Sequence, residues 1–262
     1  MNLGKLAWLG LLLFLGACRA LPPAPPPTAI LAYDEVWSRL RSRQQQVQSF
    51  QARGRVIFLS PERNFSGTAL LKGKAPATLR LDTLDFLGRS VLSFASDGVQ
   101  MQVLSPKEGK LFCGQATPKN LAYALIPPVV TLPQVISLLK GGLPLSTGPP
   151  DRGDYDPAQG LYLLEWRQTD GALTERLWVK ADGLNPVKEE WYGDAGQVRF
   201  TVELADFGRL PADLPGQITL RTNSPKSELR LFYSEMVPNP TLVEADLVLT
   251  PPAQVEVIRL RP

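Results

Sequence analysis

The chain holds 25 acidic residues, two cysteines and no histidine. Without histidine it lacks the commonest general base and the commonest metal ligand. Ser-His-Asp and Cys-His nucleophile systems are excluded, and no Cys/His spacing suits a zinc site. Carboxylate pairs remain. Glu189 and Glu190 are adjacent in a segment that reads as a strand. Consecutive strand residues point to opposite faces, so the two are poorly placed to act together. Asp154 and Asp156 fall in the Gly/Pro-rich run D-R-G-D-Y-D-P, which reads as a loop with solvated turn acids. A calcium loop of EF-hand type would need a glutamate at its closing position, and none follows. The sequence therefore predicts a protein that is not an enzyme and that carries no metal and no cofactor.

The remaining reactive group is a thiol, Cys18. Residues Met1 to Gly4 are uncharged, Lys5 adds one positive charge, and Leu6 to Leu15 is almost wholly apolar. That order matches the charged and apolar regions of a secretory signal. The apolar run is too short to span a bilayer, which takes about 20 residues. It ends in Leu15-Gly16-Ala17-Cys18, a branched apolar residue and two small ones before the cysteine. This resembles the lipobox of bacterial lipoproteins, and the resemblance implies cleavage before Cys18 and acylation of its thiol. Residues 1–17 are then the signal peptide. Residues 18–32 are the lipidated cysteine and a tether containing L-P-P-A-P-P-P-T, an extended spacer of about 3.1 Å per residue. Arg19, not aspartate, follows Cys18. In the enterobacterial sorting rule this resembles an outer-membrane lipoprotein facing the periplasm.

The net charge of +3 drops to +2 once Lys5 leaves with the signal. With no long Lys/Arg run, a nucleic-acid footprint is absent. With Cys18 acylated, Cys113 has no partner within the chain, and it reads as a small buried hydrophobe.

The elements that would position any site follow from periodicity. Tyr33 to Phe50 predicts one amphipathic helix, with Asp34 as its cap and Val36, Leu40, Val47 and Phe50 on the apolar side. The period then shortens to two. Strands are expected over 51–59, 65–72, 78–84, 90–94, 99–104 and 110–113, separated by turn-forming residues. Thr117-Pro118 opens a short helix over 120–125, stopped by Pro127-Pro128. Thr131-Leu-Pro-Gln134 is a capping box for a second, ended by Gly141-Gly142. Strand periodicity returns over 161–168, 173–180, 186–192, 198–207, 217–221, 228–236 and 243–249, with 255–260 as a last candidate. The expected fold is mainly β: a curved antiparallel half-barrel of about 10 or 11 strands, spanning 33–262 as one domain, with an N-terminal helix and a short helical lid. Leu121, Leu125, Ile136 and Leu139 of the lid, with Trp166 and Trp178 of the later strands, are the candidates for lining a cavity. Aromatic residues at such places also serve simply as core.

The order of parts resembles the LolA/LolB lipoprotein-localisation fold. The residues that carry the likeness are Val47-Gln-Ser-Phe50-Gln-Ala-Arg-Gly54-Arg-Val56, Phe65-Ser-Gly67, Leu79-Arg-Leu81, Leu87-Gly88 and Leu138-Leu-Lys-Gly141-Gly-Leu-Pro144. Together with Cys18 they favour the LolB branch. The resemblance implies a protein that encloses the acyl chains of lipoproteins, receives them from a periplasmic carrier, and inserts them at the outer membrane. It also implies a membrane-contacting loop at Phe86-Leu87. Two departures stand out: phenylalanine occupies position 86, where the family often has proline, and there is extra sequence at 145–159 and after Val237. Two other readings fit the same residues. One is a scaffolding lipoprotein of an envelope complex. The other is a carrier of another amphiphile, such as a lipid or lipopolysaccharide precursor.

Overall fold

The computed structural model describes residues 30–143 and 148–261. The signal peptide, Cys18 and the proline-rich tether lie outside the described residues. Among the described residues, fourteen strands form one sheet. They are β1 (Ser49–Leu59), β2 (Asn64–Lys74), β3 (Thr78–Leu84), β4 (Ser90–Ser96), β5 (Gln100–Ser105), β6 (Lys110–Gln115), β7 (Arg152–Asp156), β8 (Leu161–Arg167), β9 (Leu173–Lys180), β10 (Asn185–Tyr192), β11 (Val198–Ala205), β12 (Gln217–Asn223), β13 (Lys226–Pro238) and β14 (Glu256–Arg259). Their order across the sheet is β14-β6-β5-β4-β3-β2-β1-β13-β12-β11-β10-β9-β8-β7. Every pairing is antiparallel except β14 on β6. The sheet is large, curved and unclosed, with few helices.

Alternation builds the curved face. In β1, Phe50, Ala52, Val56 and Phe58 are buried while Gln51, Arg53 and Arg55 face outward. β1 and β13 join the two halves of the meander, and a register shift falls between Arg53 and Gly54. A Cβ on Gly54 would lie 2.4 Å from the Phe232 carbonyl oxygen, so only glycine allows this close approach.

Three helices cover the inner face: α1 (Tyr33–Gln46), α2 (Pro118–Leu121) and α3 (Leu132–Leu139). The helix expected over 33–50 ends at Gln46, and Phe50 belongs to β1. Its side chain still points to the core, which is why it continued the apolar pattern. Ala32, not Asp34, is the N-cap. The Thr117 side chain caps α2, accepting from the Asn120 amide at 3.3 Å. A single 3₁₀ turn, Ala122–Ala124, follows, and Leu125 takes a left-handed conformation at φ 61°. Before α3, the Gln134 side chain accepts from the Thr131 amide at 2.8 Å, as the capping box requires.

Three further expectations are corrected. The strand count exceeds 10 or 11. The D-R-G-D-Y-D segment is an edge strand, β7, rather than a loop: its backbone pairs with β8, Tyr155 opposite Tyr162. Residues 243–249 are not a strand. They carry the 3₁₀ turn Glu244–Asp246 within a strap that crosses the outer face from β13 to β14. Asn239 starts the strap, accepting from the Gln48 and Ser49 amides at 2.8 and 3.3 Å. Asp246 then pairs with Lys72, Arg80 donates to the Val248 carbonyl at 3.0 Å, and Leu249 is buried against Ala95, Leu104 and Leu111. Cys113 is free and half-buried beside this outer cluster.

Because the Gly54 site is closed by backbone on the facing strand, the neighbour cannot move aside. Gly54→Ala is expected to destabilise the fold by about 1–3 kcal/mol in chemical denaturation, whereas Gly148→Ala, with nothing within 4 Å of its added Cβ, clashes with nothing.

Candidate functional site: the covered inner face

The lid is built from residues the sequence singled out. Leu121 and Leu125 at the first helical turn, Ile136 and Leu139 on α3 and Trp166 on β8 are all buried and belong to one continuous core. α3 presents Leu132, Val135, Ile136, Leu138 and Leu139 as buried residues, so a single short helix carries a broad apolar face. It sits close to the floor. A Cβ on Gly73 of β2 would lie 3.3 Å from Ile136 Cδ1 and 2.5 Å from the Phe50 ring. Glycine there leaves room for the lid helix to approach.

Trp178 does not join them. On β9, Leu177 and Val179 face the core, so Trp178 faces the outer side. Lys188 Nζ lies 4.7 Å and the Arg176 guanidinium 5.8 Å from its ring centroid. Arg176 also pairs with Glu165. Trp178 is thus half-buried by a charged network on the opposite face. Trp166, in the other phase, meets Trp37 of α1 edge-on with centroids 5.1 Å apart, and its indole N–H donates to the Gly148 carbonyl at 3.0 Å.

Polar ties hold the cover down. Lys140, at the end of α3, donates to the carbonyls of Gln44 and Val47 at 3.0 and 2.9 Å. Burial pushes its ammonium below the usual lysine range. Gln44 of α1 donates to the Leu143 carbonyl at 2.7 Å. Tyr233 rises from β13 and donates its buried hydroxyl to the Leu139 carbonyl at 2.7 Å, capping the end of α3 from the floor. Burial pushes that hydroxyl far above the usual tyrosine range. α1 and α3 are therefore joined to each other and to the sheet. The described side chains between them form one continuous buried core. A cavity of about 40 Å³ remains between Leu40, Gln44, Lys140, Leu143 and Leu214, enough for a few waters and not for an acyl chain. Larger grooves, one of about 520 Å³ beneath the strap, lie on the outer side.

Away from the cover, Phe86 and Leu87 sit at the tip of the β3–β4 turn, 90% and 62% exposed. The turn is rigid. Asp85 accepts from the amides of Leu87 and Arg89, each at 2.9 Å, and from the Arg89 guanidinium at 2.7 Å. The backbone and side-chain hydrogen bonds from Arg89 hold its carboxyl below the usual aspartate range. Gly88, at φ 78°, supplies the left-handed step that closes the turn.

Sequence reasoning missed one group on the inner face. Glu175 of β9 and Glu189 of β10 are both fully inaccessible to solvent. Glu175 is opposite Trp166 on one side and Trp191 on the other, and Glu189 is opposite Leu177 and Val202. Burial, then the neighbouring Glu175, pushes the Glu189 carboxyl well above the usual carboxylate range. The available signal was phase: Glu175 shares the spacing of Leu177 and Val179. Glu190, the other half of the pair weighed from sequence, faces outward and pairs with Lys188.

The ties make a direct expectation. Tyr233→Phe removes one bond and leaves the Leu139 carbonyl unpaired, at a cost of about 1–3 kcal/mol. Amide hydrogen exchange in α3 should quicken more than in β1.

No family model and no curated protein matches the sequence. Solved structures do. A LolA superfamily protein from Nitrosomonas europaea matches with a TM-score of 0.54 at 14% identity, over 84% of this chain and 99% of that one. A domain described as an outer membrane lipoprotein-sorting protein, from Vibrio parahaemolyticus, gives 0.52 at 14% identity, over 82% and 95%. A DUF1329 family protein from Desulfovibrio piger gives 0.56 at 11% identity, over 82% and 95%. The chain has the LolA-superfamily fold, an open curved sheet around a helical cover.

Proposed function

We propose that this protein is a lipid-anchored envelope lipoprotein that binds acyl chains on its inner face. On this reading it receives or inserts lipoproteins, or another acylated amphiphile, at the outer membrane from the periplasmic side. The observation that carries the reading is the cover itself. Leu121, Leu125, Ile136 and Leu139 plug an apolar sheet face from elements held by a few hydrogen bonds, next to a left-handed residue at Leu125. In the closed form these side chains occupy the place an acyl chain would take. Each buried CH₂ of a chain contributes about 0.8 kcal/mol, so a cargo chain would replace burial that the lid gives up. The fold likeness supports a carrier at the level of architecture. The acylation of Cys18, the domain spanning 33–262 and the inserting role belong to the proposal.

Phe86 and Leu87 fit the membrane end of this task. Two large apolar side chains, held outward by a pinned turn with Arg89 beside them, suit the boundary between headgroups and acyl chains. In a non-acylated form, Leu87→Glu is expected to reduce binding to anionic liposomes about tenfold without changing thermal stability. Unchanged binding would remove the loop from the reading.

The continuous buried core favours a second reading, a scaffolding lipoprotein that uses the covered sheet to dock a protein partner. Incubating the protein with an acylated peptide and analysing what co-purifies by mass spectrometry separates the two. Acyl-chain binding predicts a stoichiometric adduct that competes with a fluorescent fatty acid. Scaffolding predicts none, even in Tyr233→Phe, where the cover is loosened.

A further inference from the structure

The end of α3 buries a cation beside a small cavity. Lys140 is 8% exposed, and its ammonium donates to the Gln44 and Val47 carbonyls. Those bonds use two of its three protons. Among the described residues the third has no acceptor, and Lys140 forms no ion pair. We propose that the cavity between α1, the end of α3 and the loop from β11 to β12 is a head-group site for one carboxylate, and that the ligand it selects is a fatty acid. This deepens the acyl-binding reading, and rests on it only for the tail of that ligand.

Charge points to an anion. A buried ammonium is costly unless a counter-charge accompanies it. The two carbonyls favour its charged form, but burial outweighs them and holds Lys140 below the usual lysine range. The other charged residues that line the cavity are Arg43 and Asp213. Arg43 of α1 is half-buried. Its guanidinium donates to the Gly183 and Leu184 carbonyls at 3.2 and 2.8 Å and to Asn185 Oδ1 at 3.2 Å. Asp213 is exposed, and its charge acts on Arg43. Two cations against one acid leave a single positive charge, which a monoanion balances.

Shape points to a small head on an apolar tail. A volume of about 40 Å³ holds roughly three waters, the space a carboxylate needs. Leu40, Val47, Leu143 and Leu214 make its apolar walls, and all four belong to the core beneath the cover. A head group seated here leads its chain straight into the covered face. The walls are closely packed. A Cβ on Gly141 would lie 2.5 Å from Leu214 Cδ2, and one on Gly142 2.6 Å from Gln44 Nε2. The glycine pair lets α3 end directly against α1 and the loop, which fixes Lys140 at the cavity.

The test follows the Lys140 side-chain resonances of the isotope-labelled protein. Octanoate and octanamide share a tail and differ in head charge. Octanoate is expected to bind about tenfold more tightly. It should also shift the Lys140 Nζ resonance saturably and raise the apparent pKa of that group toward the ordinary lysine range. In Lys140→Met the preference for the acid should vanish. Equal affinities in the wild type, a comparison that needs no variant to fold, overturn the proposal, as does a preference that survives in Lys140→Met. Acetate probes the head site without a tail. It must shift Lys140 saturably where chloride at the same ionic strength does not, and failure to do so overturns the proposal as well. An acetate shift with no binding of either octyl compound supports the carboxylate site and overturns the acyl-binding reading alone.

Discussion

The inner face of the sheet has to be covered. An antiparallel sheet with one apolar face is stable only when that face is packed, and an unclosed sheet of this width cannot bury it against its own strands. Here the chain folds its helices onto it. Val36, Trp37 and Leu40 come from α1, Leu121 from α2, and Ile136 and Leu139 from α3, all entering one core with Phe50, Phe94, Leu164 and Phe200 of the strands. On the carrier reading, an acyl chain would therefore compete with the protein's own side chains for this face. That competition sets the energetics. On the carrier reading, what a chain gained by burial would be offset by what the lid lost, so binding would be held near balance. A permanently empty apolar cavity would lack this offset and would hold its cargo more tightly.

The outer face obeys a different rule. Its alternating residues are charged and paired with each other: Arg80 with Asp82, Glu165 with Arg167 and Arg176, Lys188 with Glu190, and Arg221 with Glu203 and Glu228. Such partly exposed pairs contribute little each, but they keep one face polar and so fix which side of every strand turns inward. The strap adds long-range closure. It leaves β13 beside β1 and ends on β6, five strands further along the sheet, as β14. It thereby buries Leu249 and covers one sheet edge with a short strand, a usual remedy for an exposed edge.

Much of the architecture was legible because strand alternation and helix capping are local signals. The run of strands from Ser49 to Gln115, the two caps at Thr117 and Thr131 and the tight turns at Gly98, Gly171 and Gly196 all follow from residue types within a few positions. The failures share a physical cause. β7 lacks apolar alternation because it is an edge strand, specified by its pairing with β8 rather than by burial. Residues 243–249 alternate in hydrophobicity because a strap lying on a sheet also has a buried and an exposed side, as Leu249 and Val248 show. Trp178 was grouped with Trp166 by residue type, and only the strand phase separates them. Tyr233 and Lys140 tie the lid across 94 and 93 residues of sequence, a separation at which no spacing rule operates.

The acids of β9 and β10 bring these points together. Glu189 and Glu190 differ by one position and meet opposite fates. Glu190 is partly buried, but hydrogen bonds from Lys188 and Tyr192 outweigh that and hold its carboxyl below the usual range. Glu189, one residue back, turns inward, where burial and Glu175 drive it the other way. The same alternation that builds the apolar floor thus separates two adjacent acids, one paired with Lys188 on the polar face and one buried on the apolar face.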